Sequence, residues 1–312
     1  MLAKAILLFS GGLDSTLAGL IVKSQGIEVI AVRFITPFFG WKFKSSPQLY
    51  EEKIKDLGFD EGILLDITEE YLSLLKNPRY GFGDYANPCI DCKIFLLKKA
   101  KSLLQALGAE FLVTGEVQGQ RPMSQNKNAL ELIEREAGVE GLLVRPLSAK
   151  LLKETEPEKK GLIKREYLYD HQGRRRDFQF ELAKRFGLKE IPTPAGGCLL
   201  TDPIIGSRVL RVIKEKRTLN PLTAELLVLG RHYFVEDCWF VLGRREEENE
   251  TIKKIAIGHF PLYTLSEPSP LLAVIEGNPS EKLIEEYLFK HSKKAQAKRA
   301  QGGEVSLVKV RA

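Results

Sequence analysis

The chain has only four cysteines, Cys89, Cys92, Cys198 and Cys238, in 312 residues. That density excludes a small disulfide-stapled scaffold, and in a reducing compartment such thiols suit metal, redox or sulfur chemistry better than a disulfide framework. No apolar run approaches the ~18 residues of a membrane span, and the nine residues before Ser10-Gly11-Gly12 are too short for a secretory signal. The expectation is a cytoplasmic protein with no membrane partner. Internal repeats and long low-complexity stretches are missing too. So is the Gly-Lys-Ser/Thr ending of a Walker A loop. With 44% hydrophobic and 28% charged residues and a mean hydropathy of −0.15, disordered, collagen-like and coiled-coil compositions are excluded. At ~150 residues per domain, the length suggests two domains, or one large α/β unit with an appendage. The 47 Lys and Arg against 41 Asp and Glu give a net charge of +6, so the surface should attract anions such as nucleic acid, nucleotides or acidic lipid.

Periodicity organises the first half. Residues 3–9 form a continuous apolar run, 10–15 a glycine-containing turn, and 16–24 carry Leu17, Leu20 and Ile21 at helical spacing. Strand patterns follow at 27–34, 62–66, 111–114 and 142–144, and helical ones at 48–57, 87–107 and 124–136. Such alternation predicts an α/β fold, a doubly wound and mainly parallel sheet. Beyond Thr201 the texture changes to alternating segments such as 233–242, with a charged helix over 279–299 and a closing strand over 304–311. This predicts a domain over 1–200 and a C-terminal α+β domain over 201–312. Residues 150–176, with Lys159-Lys160 and Arg174-Arg175-Arg176, read as an exposed basic connection within the first domain.

The sharpest motif is Ser10-Gly11-Gly12-Leu13-Asp14-Ser15 between strand and helix. Glycines let backbone approach a ligand, and the positive end of the following helix favours phosphate; a turn without a ligand is the bland alternative. The second motif is Asn87-Pro88-Cys89-Ile90-Asp91-Cys92. Asn as N-cap and Pro at the first helical position would place both thiols in the first two turns, on one face, where the helix dipole favours thiolates. Structural zinc, redox chemistry and buried filler all remain open for this pair. The third is Thr193-Pro194-Ala195-Gly196-Gly197-Cys198, which leaves a thiol on a tight loop, or packs it against Leu199 and Leu200. Cys238, inside an alternating apolar segment, reads as core. Three plausible ligands without an obvious fourth suggest a three-cysteine cluster with an open iron, or zinc completed by another residue.

The hexapeptide at Ser10 resembles the pyrophosphate-binding loop of the PP-loop ATP pyrophosphatases, whose fold is adenine nucleotide alpha hydrolase-like. Together with Asn-Pro-Cys-x-x-Cys, Thr114-Gly115-Glu116, Arg145-Pro146-Leu147 and the Gly-Gly-Cys at Cys198, it resembles the iron–sulfur-dependent tRNA thiolation enzymes, relatives of the 2-thiouridine and 4-thiouridine synthetases. Some bacterial 2-thiouridine enzymes carry Asp at the first Cys-x-x-Cys position. Here Cys89 stands there, which favours a cluster over a persulfide pair. No RNA-binding module precedes the ATP loop, as it does in 4-thiouridine synthetases, so RNA binding is expected elsewhere. The C-terminal domain faintly resembles the RNA-binding domain of ribosome quality-control factors. Lys290, Lys293, Lys294, Lys298 and Arg299 crowd one helix end, either to neutralise phosphates or as a solvated terminus.

The resemblance implies an ATP-dependent tRNA sulfurtransferase. Ser10, Gly11, Gly12, Asp14 and Ser15 would bind ATP, with Asp14 helping to hold Mg²⁺ or to orient the attack. Gly115 and Arg121, in the amide-rich loop 115–125, would hold the adenylate or a tRNA nucleotide. Cys89, Cys92 and Cys198 would ligate a 4Fe-4S cluster with an open iron and act in catalysis, with sulfur delivered as sulfide on that iron or as a persulfide on one of these thiols, and AMP and pyrophosphate would leave. The sulfur donor would be sulfide or a persulfide carrier, and the partner tRNA. Two rivals stand beside it: a PP-loop amide- or nitrile-forming ligase with structural zinc, and a non-catalytic RNA-binding protein with a degenerate ATP domain.

Overall fold

The structure is a computed structural model that describes residues 2–191 and 197–310. Two compact units divide the chain, Met1–Cys198 and Leu199–Ala312. The first contains β1 (Lys4–Leu8), α1 (Leu13–Lys23), β2 (Glu28–Ile35), α2 (Lys42–Ser45), α3 (Gln48–Asp56), β3 (Glu61–Asp66), α4 (Thr68–Lys76), α5 (Cys89–Leu107), β4 (Phe111–Val113), α6 (Lys127–Ala137), β5 (Leu143–Val144), α7 (Glu156–Lys159) and α8 (Asp177–Arg185).

The apolar runs make a five-stranded parallel sheet in the order β3-β2-β1-β4-β5. Ala5, Leu7, Val29, Ala31, Phe111 and Val113 of the three central strands are buried with Leu17 and Ile21 of α1 and Leu182 of α8. The order has a functional consequence. From β1 the chain winds outward to β3, then returns to lay β4 on the other side of β1. Connections leaving the carboxyl ends of β1 and β4 therefore diverge, and open α/β sheets bind ligands in the crevice at such a switch point. The glycine loop follows β1 and the amide-rich loop follows β4.

The second unit contains α9 (Pro203–Lys214), α10 (Pro221–Leu227), β6 (Arg231–Val235), β7 (Cys238–Leu242), α11 (Glu246–Ala256), β8 (Leu262–Leu265), β9 (Leu272–Glu276), α12 (Glu281–Lys290), α13 (Lys293–Ala300) and β10 (Leu307–Val310). Its sheet is antiparallel, in the order β10-β8-β9-β7-β6. Cys238 is buried with Phe240, Leu242, Leu272 and Leu288, a packing position. No helix among the described residues is long and apolar enough to cross a membrane.

Two expectations change. Residues 150–176 are not an exposed connection, because Ile163 and Leu168 join the core of the first unit and Arg165 donates to the carbonyls of Ala149 and Leu152 and to Glu158. Lys159, Lys160, Arg174 and Arg175 remain exposed. The charged helix over 279–299 is two helices, α12 capped by Ser280 and α13 by Ser292. Ser292 accepts from the Ala295 amide at 3.1 Å and donates to Pro268 O at 2.7 Å, and such a cap starts a new helix. Lys293 and Lys294 thus stand at a helix start, Lys298 pairs with Glu267 and Arg299 with Glu285, each at 2.5 Å.

Candidate functional site

The loop over residues 10–15 is set by its own short side chains. The Ser10 and Ser15 hydroxyls are 3.0 Å apart, and those of Ser15 and Thr16 both donate to Gly12 O at 3.0 Å. Gly12 caps α1 without a side-chain hydrogen bond, which leaves the positive end of the helix to a ligand. Gly115, at the end of β4, is required by proximity: a Cβ there would lie 2.4 Å from the Asp14 carbonyl carbon and the Ser15 nitrogen. Backbone packs on backbone at this point, joining the two diverging connections. Between them lies a cavity of about 210 Å³ lined by Ser10, Gly12, Asp14, Ser15, Lys93, Gly115, Glu116, Gln120, Arg121 and Gln125. Gly11 is not in the lining. It adopts φ +75° and faces the side chains of Arg33 and Lys53.

Asp14 is held by three residues. Gln120 Nε2 donates to Oδ2 at 2.6 Å, Gln179 Nε2 reaches Oδ1 at 3.4 Å and Gln120 Oε1 at 2.9 Å, and Arg176 NH1 stands 3.5 Å from Oδ2. Gln179 and Arg176 were missed as site residues. Gln179 is fully buried on α8, 165 positions from Asp14, with no local pattern to flag it. Arg176 sits inside a basic run that reads as solvated.

A buried ionic chain leaves the cavity floor. Lys93 pairs with Glu116, Glu116 accepts from Arg145 Nε at 2.8 Å, and Arg145 also pairs with Glu134. Burial alone would raise the Glu116 carboxyl, but the charges of Lys93 and Arg145 and their hydrogen bonds outweigh it and hold it at about 2. Glu116 therefore stays ionised and keeps the Lys93 ammonium at the cavity wall. The motif residues Glu116 and Arg145 join here as structural supports of Lys93.

The first turn of α5 carries the thiols. Pro88 is the cap position and Cys89 the first helical residue, one position later than an Asn87 cap would give, because Asn87 Oδ1 accepts from Cys89 Sγ at 3.0 Å instead of capping the helix. Asp91, between the cysteines, accepts from the Arg79 and Tyr80 amides at 2.9 Å each and ties the preceding loop to this turn. The expectation of a thiolate fails at Cys92. Burial pushes its thiol up, nearby Cys198 and Cys89 add to the rise, and the Tyr71 hydrogen bond and the Lys93 charge oppose it, leaving it at about 12. Here burial outweighs the helix dipole. The Tyr71 hydroxyl is raised as well, by burial first and then by Cys92, Cys198 and Cys89, so the three thiols lie within electrostatic reach of one another. Among the described residues no group of three His, Cys, Asp or Glu side chains stands ready to hold a metal ion. Residues 193–196 of the Gly-Gly-Cys motif lie outside the described residues.

A glycine loop at the β1–β4 divide of a 3-2-1-4-5 parallel sheet defines the class, that of the PP-loop proteins. Within it, residues 2–154 match the model of the ThiI family, described as thiamine biosynthesis protein. The chain is 30% identical over 138 residues to the tRNA-specific 2-thiouridylase MnmA of Clostridium acetobutylicum, covering 36% of this chain and 35% of the relative. It is 27% identical over 122 residues to the probable tRNA sulfurtransferase of Thermococcus kodakarensis, covering 38% and 30%. It thus spans about a third of the length of these curated relatives. A solved 4-thiouridine synthetase in complex with RNA and ATP matches with a TM-score of 0.39 at 21% identity, over 72% of this chain and 52% of that one.

Proposed function

We propose that the chain is an ATP-dependent tRNA sulfurtransferase that adenylates a uridine carbonyl oxygen and replaces it with sulfur. The observation that carries this reading is the position of Lys93. It lines the nucleotide cavity and directly follows Cys92 in α5, so one helical turn joins the place where a uridine would be activated to the place where sulfur would be held.

In this reading the residues 10–15 loop and the α1 terminus bind the ATP phosphates. Asp14, presented by Gln120 and Gln179, would hold a Mg²⁺ ion, which when bound would offset the charge of the phosphates. The uridine oxygen attacks the α-phosphorus, the bond to pyrophosphate breaks, and Lys93 stabilises the charge that develops on the α-phosphate. Sulfur then displaces AMP. Gly115 keeps the β4 end against the loop, and Arg121 at the cavity mouth offers a cation to the adenylate or the RNA.

Cys89, Cys92 and Cys198 offer three soft sulfur donors and no oxygen or nitrogen ligand, which is the donor chemistry of a 4Fe-4S cluster with one open iron. Such a cluster, when bound, would supply an open, Lewis-acidic iron for the sulfur chemistry. A cation at these thiols also favours their deprotonated form, which burial alone disfavours at Cys92. Metal binding and site assembly are commonly coupled, so an arrangement of thiols not drawn together in advance is compatible with this role.

The test is to purify the protein anaerobically, assay iron and labile sulfide, and incubate it with unmodified tRNA, MgATP and sulfide. The reading predicts iron with labile sulfide, a thiouridine in the nucleoside digest, and AMP with pyrophosphate as products. Stoichiometric zinc without thiouridine, or ADP with phosphate, would contradict it.

A further inference from the structure

Tyr85 is an exposed aromatic residue held in an unfavourable backbone conformation. Its φ is +56°, in the left-handed region, and it is 41% exposed. Two other described non-glycine residues share a positive φ, Lys216 and Glu236. Lys216 follows the end of α9, where a left-handed residue commonly closes a helix. Glu236 sits in the two-residue turn between β6 and β7, which demands positive φ. Neither reason applies to Tyr85, and its bulk makes the conformation costly. Strain of this kind persists only where the surroundings enforce it, and it gathers at functional sites.

Both flanks of the residue are fixed. The Gly83 amide donates to Asn87 O at 2.8 Å, closing a turn with Tyr85 at its tip, and Ala86 is fully buried beneath it. Asn87 in turn accepts from the Cys89 thiol at 3.0 Å. On the other side Met123 covers Gly83, where a Cβ would lie 2.9 Å from the Met123 sulfur. Met123 stands between Arg121 and Gln125, which both line the nucleotide cavity. Two loops therefore meet at Gly83 and Met123, one leading to the thiols and the other to the nucleotide. Met123 is itself 51% exposed. A thioether beside an aromatic ring suits a flat apolar face.

The charges around the pair select the kind of face. Asp84, exposed beside Tyr85, disfavours a phosphate at the tip, while Arg121, exposed two residues before Met123, offers a cation next to it. A flat uncharged group with phosphate alongside is a nucleobase in an RNA strand. A uridine that enters the cavity has to leave its stack, which uncovers the base beside it, and unstacked RNA bases are commonly held on aromatic rings. We propose that Tyr85, flanked by Met123, is the platform on which the base next to the reacting uridine stacks. The identity of the strand as substrate RNA rests on the sulfurtransferase reading; the platform itself does not. The strained turn keeps the ring out of the core and free for the base.

The experiment compares two probes on the full chain by fluorescence anisotropy: a short single-stranded oligouridylate and an abasic ribose-phosphate oligomer of equal length. Both carry the same phosphates, so the ratio of their dissociation constants isolates contacts to bases. Wild type should prefer the oligouridylate, Tyr85→Phe should keep the preference, and Tyr85→Ala should reduce it on the order of tenfold. Met123→Ala should reduce it less. A purely structural role would weaken both probes together and leave the ratio unmoved. If Tyr85→Ala does not fold, Tyr85→Gly carries the test, because glycine adopts this backbone conformation without strain. Equal affinity for the two probes in wild type would overturn the proposal and return the exposed pair to a protein contact. An unchanged ratio in the folded Ala or Gly variant would overturn it as well. A Tyr85-dependent base preference in a protein that never thiolates tRNA would leave the platform standing and remove the sulfurtransferase reading.

Discussion

In the proposed reaction Asp14 is the side chain on which the nucleotide chemistry turns, and its surroundings dictate how to test it. An Asn at this position keeps the shape and the amide contacts but loses the charge offered to Mg²⁺ and to Arg176. Asp14→Asn is expected to lower tRNA-dependent ATP turnover on the order of a hundredfold with little change in melting temperature; full turnover would remove Asp14 from the reaction. Gly115 makes the opposite prediction. A Cβ 2.4 Å from the backbone of Asp14 and Ser15 cannot be absorbed by a flexible neighbour, so Gly115→Ala should destabilise the first unit by about 3 kcal/mol, measured by denaturant unfolding. At this scale the sequence shows the loop clearly, because a glycine pair between an apolar strand and a helix is a local pattern. Gln179 and Arg176 are invisible in it, since their tie to Asp14 crosses most of the unit and depends on where α8 packs.

Among the elements, α5 is legible nearly to the residue, because Asn-Pro ahead of an apolar period marks a helix start. The break between α12 and α13 is not, since both sides keep helical composition and only the Ser292 hydroxyl, taken up by Ala295 N and Pro268 O, separates them. That break changes the expectation for RNA. Lys298 and Arg299 are engaged by Glu267 and Glu285, which leaves Lys293 and Lys294 as the better candidates for phosphate. Replacing both with Ala should reduce the slope of log affinity for tRNA against log salt by about one unit per lost contact and leave AMP affinity unchanged; an unaltered slope would exclude α13 from the RNA surface.

His232 on β6 is one source of pH dependence in the second unit. Its Nδ1 accepts from Trp239 Nε1 at 2.8 Å and its Nε2 faces Leu226 O at 2.9 Å, so the ring is held neutral. Burial first, then the Arg208 charge, lowers its pKa from 6.5 to about 3. The unfolded chain takes up a proton near pH 6.5 while the folded one does not until about pH 3. The contribution of His232 to stability is therefore fully present above 6.5 and is lost progressively as pH falls toward 3. Unfolding followed by tryptophan fluorescence should show this loss, and His232→Gln should flatten it.

For the whole molecule, the alternation of strands and helices makes the parallel sheet legible, and the change of texture after Thr201 makes the second sheet legible. The strand order is not written in any single segment, yet it is the order that sets the two loops side by side. It also brings the start of α5 to the same crevice, with Lys93 at the cavity wall and Cys92 beside it. The central claim is that activation and sulfur transfer share this one place, and Cys92→Ser tests it most directly. In a single-turnover reaction with unmodified tRNA, MgATP and sulfide, wild type should form AMP and thiouridine in equal amounts. Cys92→Ser should still form AMP in a tRNA-dependent manner but yield no thiouridine. Undiminished thiouridine from Cys92→Ser, or no tRNA-dependent AMP from either protein, would contradict the account.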